Sequence, residues 1–177
     1  MRNALYLFLL GLALLTLALV VRSGLMARKE PGRPINAAMR EAMNEDAPQL
    51  SEADAMIIRQ KYGNAHRLHS GLLYVIRDPG TGGSTPRSGQ EVIVNYDGRL
   101  LDGTPFDSSY RRGAPFTFRL GAGMAIEGWD EAFLTMRKGE KRTLIIPYWL
   151  ASGIAGRPPT IPPRATLVFE VELIDIR

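Results

Sequence analysis

The chain has 177 residues, 22 Lys/Arg against 18 Asp/Glu and a formal net charge of +4, with 45% apolar and 23% charged residues. That is room for one ordinary domain plus an extension, with the composition of a folded protein. Cysteine is absent, which excludes thiolate catalysis, Cys-ligated zinc and disulfides while leaving the redox compartment open.

The charge is unevenly spread. Residues 1–69 carry nine Lys/Arg against six Asp/Glu, and residues 70–177 carry thirteen against twelve. The excess includes Arg22, Arg28, Lys29 and Arg33, placed after an apolar run where they can meet anionic lipid headgroups. A nucleic-acid binder carries its basic surface on the folded domain, so no nucleic-acid partner is expected.

Residues 4–21, "ALYLFLLGLALLTLALVV", form an uncharged stretch of eighteen residues. As a helix it would be about 27 Å long, close to the hydrocarbon thickness of a bilayer. It has no polar face, unlike an amphipathic core helix. A cleaved signal peptide is the rival reading, but the run is long for one and "VRSGLMARKE" offers no small-x-small cleavage site. Residues 1–24 are therefore expected to be an uncleaved single-pass anchor. Its orientation is open. The basic residues after the span favour a cytoplasmic domain, whereas Arg2 and the terminal amine resemble an export n-region and favour a periplasmic one.

Residues 25–69 read as a linker. "RKEPGRPINA" is charged and proline-bearing, and a short helix is expected over 36–44. "SEADAMIIRQKYG" predicts a helix that opens on a capping-box-like Ser51 and Asp54, stops at Gly63 and puts Ala55, Ile58 and Tyr62 on one face. That face suffices to lie against a domain. His66 and His69 have no accompanying ligand cluster, so no metal is expected.

Strand signals begin at Gly71 and define a domain over 70–177. "GLLYVIR" is followed by the breaker-rich "DPGTGGSTPRSG", then by "EVIVNYDGRLL", a turn at "DG", and "PFTFRL" after the connecting "SSYRRGA". "GWDEAFLTM" predicts one helix burying Trp129, Ala132, Phe133 and Met136. "KRTLIIP" and "ATLVFEVELIDI" are further strands. In the last, Leu167, Phe169, Val171 and Leu173 alternate with Thr166, Val168, Glu170 and Glu172. One covered and one largely wet face is expected, as in an antiparallel α+β sheet with a helix on one side.

Hydrolytic and nucleotide chemistries find no support. Residues 71–177 contain no histidine for a Ser-His pair. Asp97, Asp102 and Asp107 stand at strand ends and turns, where Asp is common for backbone reasons. "GAGMAIEG" lacks dinucleotide-loop spacing, and "GTGG" lacks the Lys-Ser/Thr ending of a phosphate loop. What remains is a set of aromatics spread over several strands and the helix start: Tyr96, Phe106, Phe116, Phe118, Trp129 and Phe169. Packing alone accounts for most such residues. Two pull the other way. Trp129 follows Gly128 at the helix start, which suggests the rim of the sheet, and Phe106 falls in a loop of Gly, Pro, Asp and Ser.

"VNYDGRLLDGTPFDSS", "PFTFRLGAGMAIEGWDEAF", "GEKRTLIIP" and "IPPRATLVFEVELIDI" resemble the FKBP-type peptidyl-prolyl cis-trans isomerases, in order and without large gaps from about Gly71 to Arg177. The resemblance implies a strongly bent antiparallel sheet wrapped around one short helix. It implies that Trp129 is the floor of a substrate pocket, Tyr96, Phe116 and Phe169 its walls, and Phe106 its rim. Ile126 matches the residue whose backbone N–H donates to a ligand carbonyl, and Ile161 lines the mouth. Asp107 matches the aspartate at the pocket edge, with Arg112 as partner. Read from the residues alone, Asp107 is either an ionised rim carboxylate or a turn-capping aspartate.

Departures from the family pattern also fall near the pocket. Ser152 stands in "ASG" where the family has A-Y-G, losing a ligand-reaching hydroxyl. Ala125 replaces the usual valine, and Arg157, Pro158 and Pro159 stiffen a variable loop. The resemblance implies an enzyme without cofactor that acts on X-Pro polypeptides and assists the folding of exported or membrane proteins, with rapamycin-type macrolides as further ligands. Retaining the fold as a non-catalytic proline-peptide module, or as an accessory subunit of a membrane complex, are the alternatives.

Overall fold

An antiparallel sheet of seven strands organises residues 48–177, the part of the chain that this computed structural model describes. The expected anchor over 4–21, its basic flank and the helix expected over 36–44 lie outside the described residues. Among the described residues no helix is long and apolar enough to cross a membrane. In chain order the elements are α1 (Glu52–Lys61), β1 (His66–Arg67), β2 (Leu73–Asp78), β3 (Glu91–Leu100), β4 (Pro105–Ser108) and the single turn α2 (Ser109–Arg112). They continue with β5 (Phe116–Arg119), α3 (Glu127–Phe133), β6 (Lys141–Ile146), a 3-10 turn (Tyr148–Leu150) and β7 (Leu167–Ile176).

The sheet order is β1-β2-β6-β7-β3-β4, with β5 also on β3. β3 and β7 pair from Val92↔Ile176 to Leu100↔Leu167 and form the spine. On its other edge β3 is shared: residues 91–94 pair with β5 and residues 97–99 with β4.

Period-two alternation sorts these strands into two faces. The inner face carries Val92, Val94, Tyr96, Leu144, Ile146, Phe169, Val171 and Leu173, packed on Trp129, Ala132 and Phe133 of α3. Gly128 makes this docking close, since a Cβ there would lie 2.5 Å from Ile146 Cγ2. The buried Arg142 donates to Glu140 Oε1 at 2.5 Å and to Thr135 Oγ1 and O at 2.8 and 2.9 Å. This fixes the chain just beyond α3, and because the pair is buried, each charge depends on the other for its solvation.

The outer face is wet only in part, at the exposed Glu170 and the half-buried Glu172. Thr166 and Val168 are only 2% and 6% exposed. Ile58 of α1 packs with Leu73, Leu101, Ile145 and Val168 in a second apolar cluster, flanked by Leu50, Ile57, Tyr62 and Ala65. α1 thus closes the sheet from behind. Ser51 caps it by accepting the Asp54 N–H at 3.0 Å. The Asp54 carboxylate does not complete a capping box. It accepts from the Thr166 hydroxyl at 2.5 Å, which ties the helix start to β7. The helix ends at Lys61 rather than Gly63, its C-cap Tyr62 donating to Ile58 O at 2.8 Å.

Candidate active site

α3 starts directly below a cavity of about 750 Å³, and Trp129 in its first turn is 4% exposed. The indole lies under the cavity, in the aromatic core and not at the sheet rim where its place in the sequence suggested. Around it stand Tyr96 at 4.9 Å, Phe169 at 5.2 Å and Phe116 at 6.1 Å between ring centroids, each edge-on. Phe118 and Phe133 support it from the core side at 5.7 and 5.5 Å. Five rings leave the indole little freedom to tilt. Its Nε1–H is buried and has no hydrogen-bond partner among the described residues.

Phe106 belongs to β4, not to a loop. The register shifts between Gly98↔Asp107 and Arg99↔Pro105, so Phe106 is the unpaired extra residue of a bulge. The bulge delivers its ring edge-on to Phe169, 5.4 Å away. Gly98 makes the contact possible: a Cβ there would lie 2.7 Å from Phe169 and 2.8 Å from Phe106. Sequence reasoning gave Gly98 no part in the site, because its contribution is an atom it lacks.

At the polar edge Tyr96, Asp107 and Arg112 close a ring. Tyr96 OH donates to Asp107 Oδ2 at 2.5 Å, and Arg112 donates to Asp107 Oδ1 at 2.5 Å and to Tyr96 Oη at 2.6 Å. The Ser108 N–H adds a fourth bond, to Asp107 Oδ1 at 2.8 Å. Asp107 therefore partners Arg112 and Tyr96 together, while also accepting a backbone amide as a turn residue would. Burial raises its pKa, but the bonds from Tyr96, Arg112 and Ser108 outweigh that and hold it below the ordinary carboxylate range. Burial, then the Asp107 acceptor, push the Tyr96 phenol upward against the opposing effect of Arg112. At neutral pH Asp107 is an anion and Tyr96 a neutral donor.

The local sequence builds this ring. Ser108, extended at φ −160°, caps α2, and Gly113 ends it in the left-handed region at φ 70°. That single turn, unrecognised in "SSYRRGA", brings Arg112 back over Asp107. The buried Ser109 accepts the Tyr96 N–H at 2.9 Å and fixes the backbone of the wall.

Ile126 is the extended N-cap of α3, at φ −70° and ψ 149°. Its carbonyl accepts from Trp129 and Asp130, and among the described residues nothing accepts its N–H. Ala125, Ser152 and Ile161 also line the cavity. The structure thus gathers Tyr96, Phe106, Asp107, Arg112, Phe116, Ala125, Ile126, Trp129, Ser152, Ile161 and Phe169 around one space. Met124, Arg157 and Leu167 join them. Leu167 was visible only as a core position, and Met124 carried no signal beyond its place in a glycine-bounded loop.

Rings and aliphatic side chains make up most of this wall, with one internally neutralised charged edge, the Arg157 cation and one free amide. Such a space can hold a small apolar ring with an adjoining carbonyl.

Comparison with known proteins identifies the family. The family model for FKBP-type peptidyl-prolyl cis-trans isomerase matches residues 82–174. The peptidyl-prolyl cis-trans isomerase FKBP4 of Bos taurus is 51% identical over 107 residues, 60% of this chain and 23% of that one. FKBP15-2 of Arabidopsis thaliana is 45% identical over 117 residues, covering 66% and 70%. FkpA of Escherichia coli K12, an FKBP-type isomerase, is 40% identical over 146 residues, covering 81% and 52%. The match thus spans under a quarter of the bovine relative and about half of the bacterial one. The crystal structure of AtFKBP13 superimposes with a TM-score of 0.61 at 39% identity, over 64% of this chain and 98% of that one. The chain belongs to the FKBP-type peptidyl-prolyl cis-trans isomerase family.

Proposed function

We propose that this chain catalyses cis-trans isomerisation of X-Pro bonds, with the proline ring seated on Trp129. The observation that carries the reading is the indole floor under an open cavity of about 750 Å³, walled by Tyr96, Phe116 and Phe169. The reaction needs no acid, base or covalent intermediate. Rotation breaks amide resonance at a cost of ~18–20 kcal/mol. The twisted amide has lost charge separation and is less polar than the planar one. A dry apolar cavity therefore favours it over the planar state, which is differential binding in the productive direction. The free Ile126 N–H holds a substrate carbonyl while the ring rests on the indole, which adds orientation. Tyr96, kept in place by Asp107 and Arg112, fixes the wall beside it. Rapamycin-type macrolides fit the same space, with contact at Ser152 reduced to a short hydroxyl.

The uncharged stretch over 4–21 supports a tethered enzyme whose clients are exported or membrane proteins, and Arg2 ahead of it, as in an export n-region, supports a periplasmic domain. Slow X-Pro isomerisation, tens to hundreds of seconds uncatalysed, gives such an enzyme its use. If the anchor is retained, the full chain stays in the pellet after alkaline carbonate extraction of membranes. Release into the supernatant would contradict a retained anchor.

The test of activity is proline isomerisation in a short peptide, followed by NMR exchange with the full chain in detergent. Trp129→Ala is expected to lower kcat/KM by at least tenfold. Its fold is checked by circular dichroism, and the milder Trp129→Phe should retain part of the activity. A second reading, a non-catalytic proline-peptide module, is favoured by Ser152 in the cavity wall. It predicts peptide binding without rate enhancement.

A further inference from the structure

One charge at the cavity is not neutralised within it. Asp107 and Arg112 cancel one another. Arg157 lines the same cavity, and among the described residues its guanidinium makes no ion pair and no side-chain hydrogen bond. The lining therefore carries a net charge of +1, from Asp107, Arg112 and Arg157.

The root of Arg157 is fixed even though its head is free. Its N–H donates to Ile161 O at 2.8 Å, and its carbonyl accepts from Thr160 and Ile161 at 3.1 and 2.9 Å. Arg157 and Ile161 form an isolated antiparallel bridge. The preceding Gly156, at φ 66°, lets the chain pass so close that a Cβ would lie 2.3 Å from Pro162 O. A planar cation with five donors is thus presented in the cavity lining on a pinned backbone.

We propose that Arg157 determines substrate specificity by pairing with an acidic side chain adjacent to the target proline, so that acidic X-Pro segments are preferred over basic ones. This rests on the isomerase reading above. Attraction of a glutamate and repulsion of a lysine act in the same direction. For a partly solvated pair the two together amount to about a three- to tenfold ratio. The ratio falls toward one near 1 M salt, where the Debye length is ~3 Å.

The experiment compares peptides with Glu, Gln or Lys immediately before or after proline. kcat/KM is measured by NMR exchange and Kd by indole fluorescence, both at low ionic strength. The native chain should favour Glu over Lys about three- to tenfold at one or both positions. Arg157→Gln should bring the ratio close to one, and Arg157→Glu should invert it. Because each ratio is taken within one protein, a general loss of activity in a variant does not affect it. A native ratio of one, or a ratio unchanged in Arg157→Glu, would overturn the proposal. If the native chain turns over none of the peptides, the isomerase reading fails. The Kd ratios then decide the charge preference independently: an inverted ratio in Arg157→Glu sustains it, and equal ratios end it.

Discussion

Tyr96, Asp107 and Arg112 each bond to the other two, and none of them is set up to exchange a proton near neutrality. Asp107 is held below the ordinary carboxylate range and the Tyr96 phenol is pushed above its own. For Asp107 the folded value lies below the unfolded one. The stability its bonds contribute is therefore complete above the carboxylate range and is lost as pH falls through the depressed value. kcat/KM should accordingly be level between about pH 5.5 and 8.5, declining only in acid. Asp107→Asn keeps the shape but weakens the bonds from Tyr96 and Arg112. Both side chains of the ion pair are more than a third exposed, so the loss should be modest, roughly two- to fivefold in kcat/KM, with the profile still level. A bell-shaped profile centred near pH 7 would mean that some group titrates in catalysis, contrary to the proposed mechanism.

Elements, rather than residues, separate stability from activity in this fold. α1 packs on the outer face and the cavity opens on the inner one, with the sheet between them. Ile58→Ala deletes a buried contact and should cost about 2–4 kcal/mol, read from urea denaturation. At a temperature well below unfolding, kcat/KM should stay within twofold of the native value, because no cavity-lining residue belongs to the outer cluster. A loss of activity in step with stability would show that the two faces are coupled. The amphipathic face of α1 could be read from Ile58 and Tyr62, but its docking site could not. Val168, Ile145 and Leu73 lie on three strands that come together only through nonlocal pairing, and Val168 alone looks like an apolar residue on a wet face. β4 and α2 escaped notice for a related reason. Four residues opening on Pro105, and a single turn closed by Gly113, are too short for periodicity to register.

Across the whole molecule, the parts legible in the sequence were those that repeat a local rule or carry a distinctive run of residues. β3 alternates from Glu91 to Gly98 and β7 from Phe169 to Ile174, and α3 buries Trp129, Ala132 and Phe133 at helical spacing. The site residues could be named from the quoted motifs, yet their arrangement could not. The Phe106 bulge, the Gly98 clearance and the closed polar ring depend on register and on backbone approach. The family match also begins at residue 82, downstream of both α1 and β2. β2 supplies the partner edge for β6 from Leu73↔Ile145 to Asp78↔Lys141. A fragment expressed from residue 82 onward would leave the β6 amides and carbonyls bare along that edge and Ile145 open to water, an invitation to stack strand against strand between molecules. Such a fragment should collect in inclusion bodies, whereas one begun at residue 48 should remain in the soluble fraction.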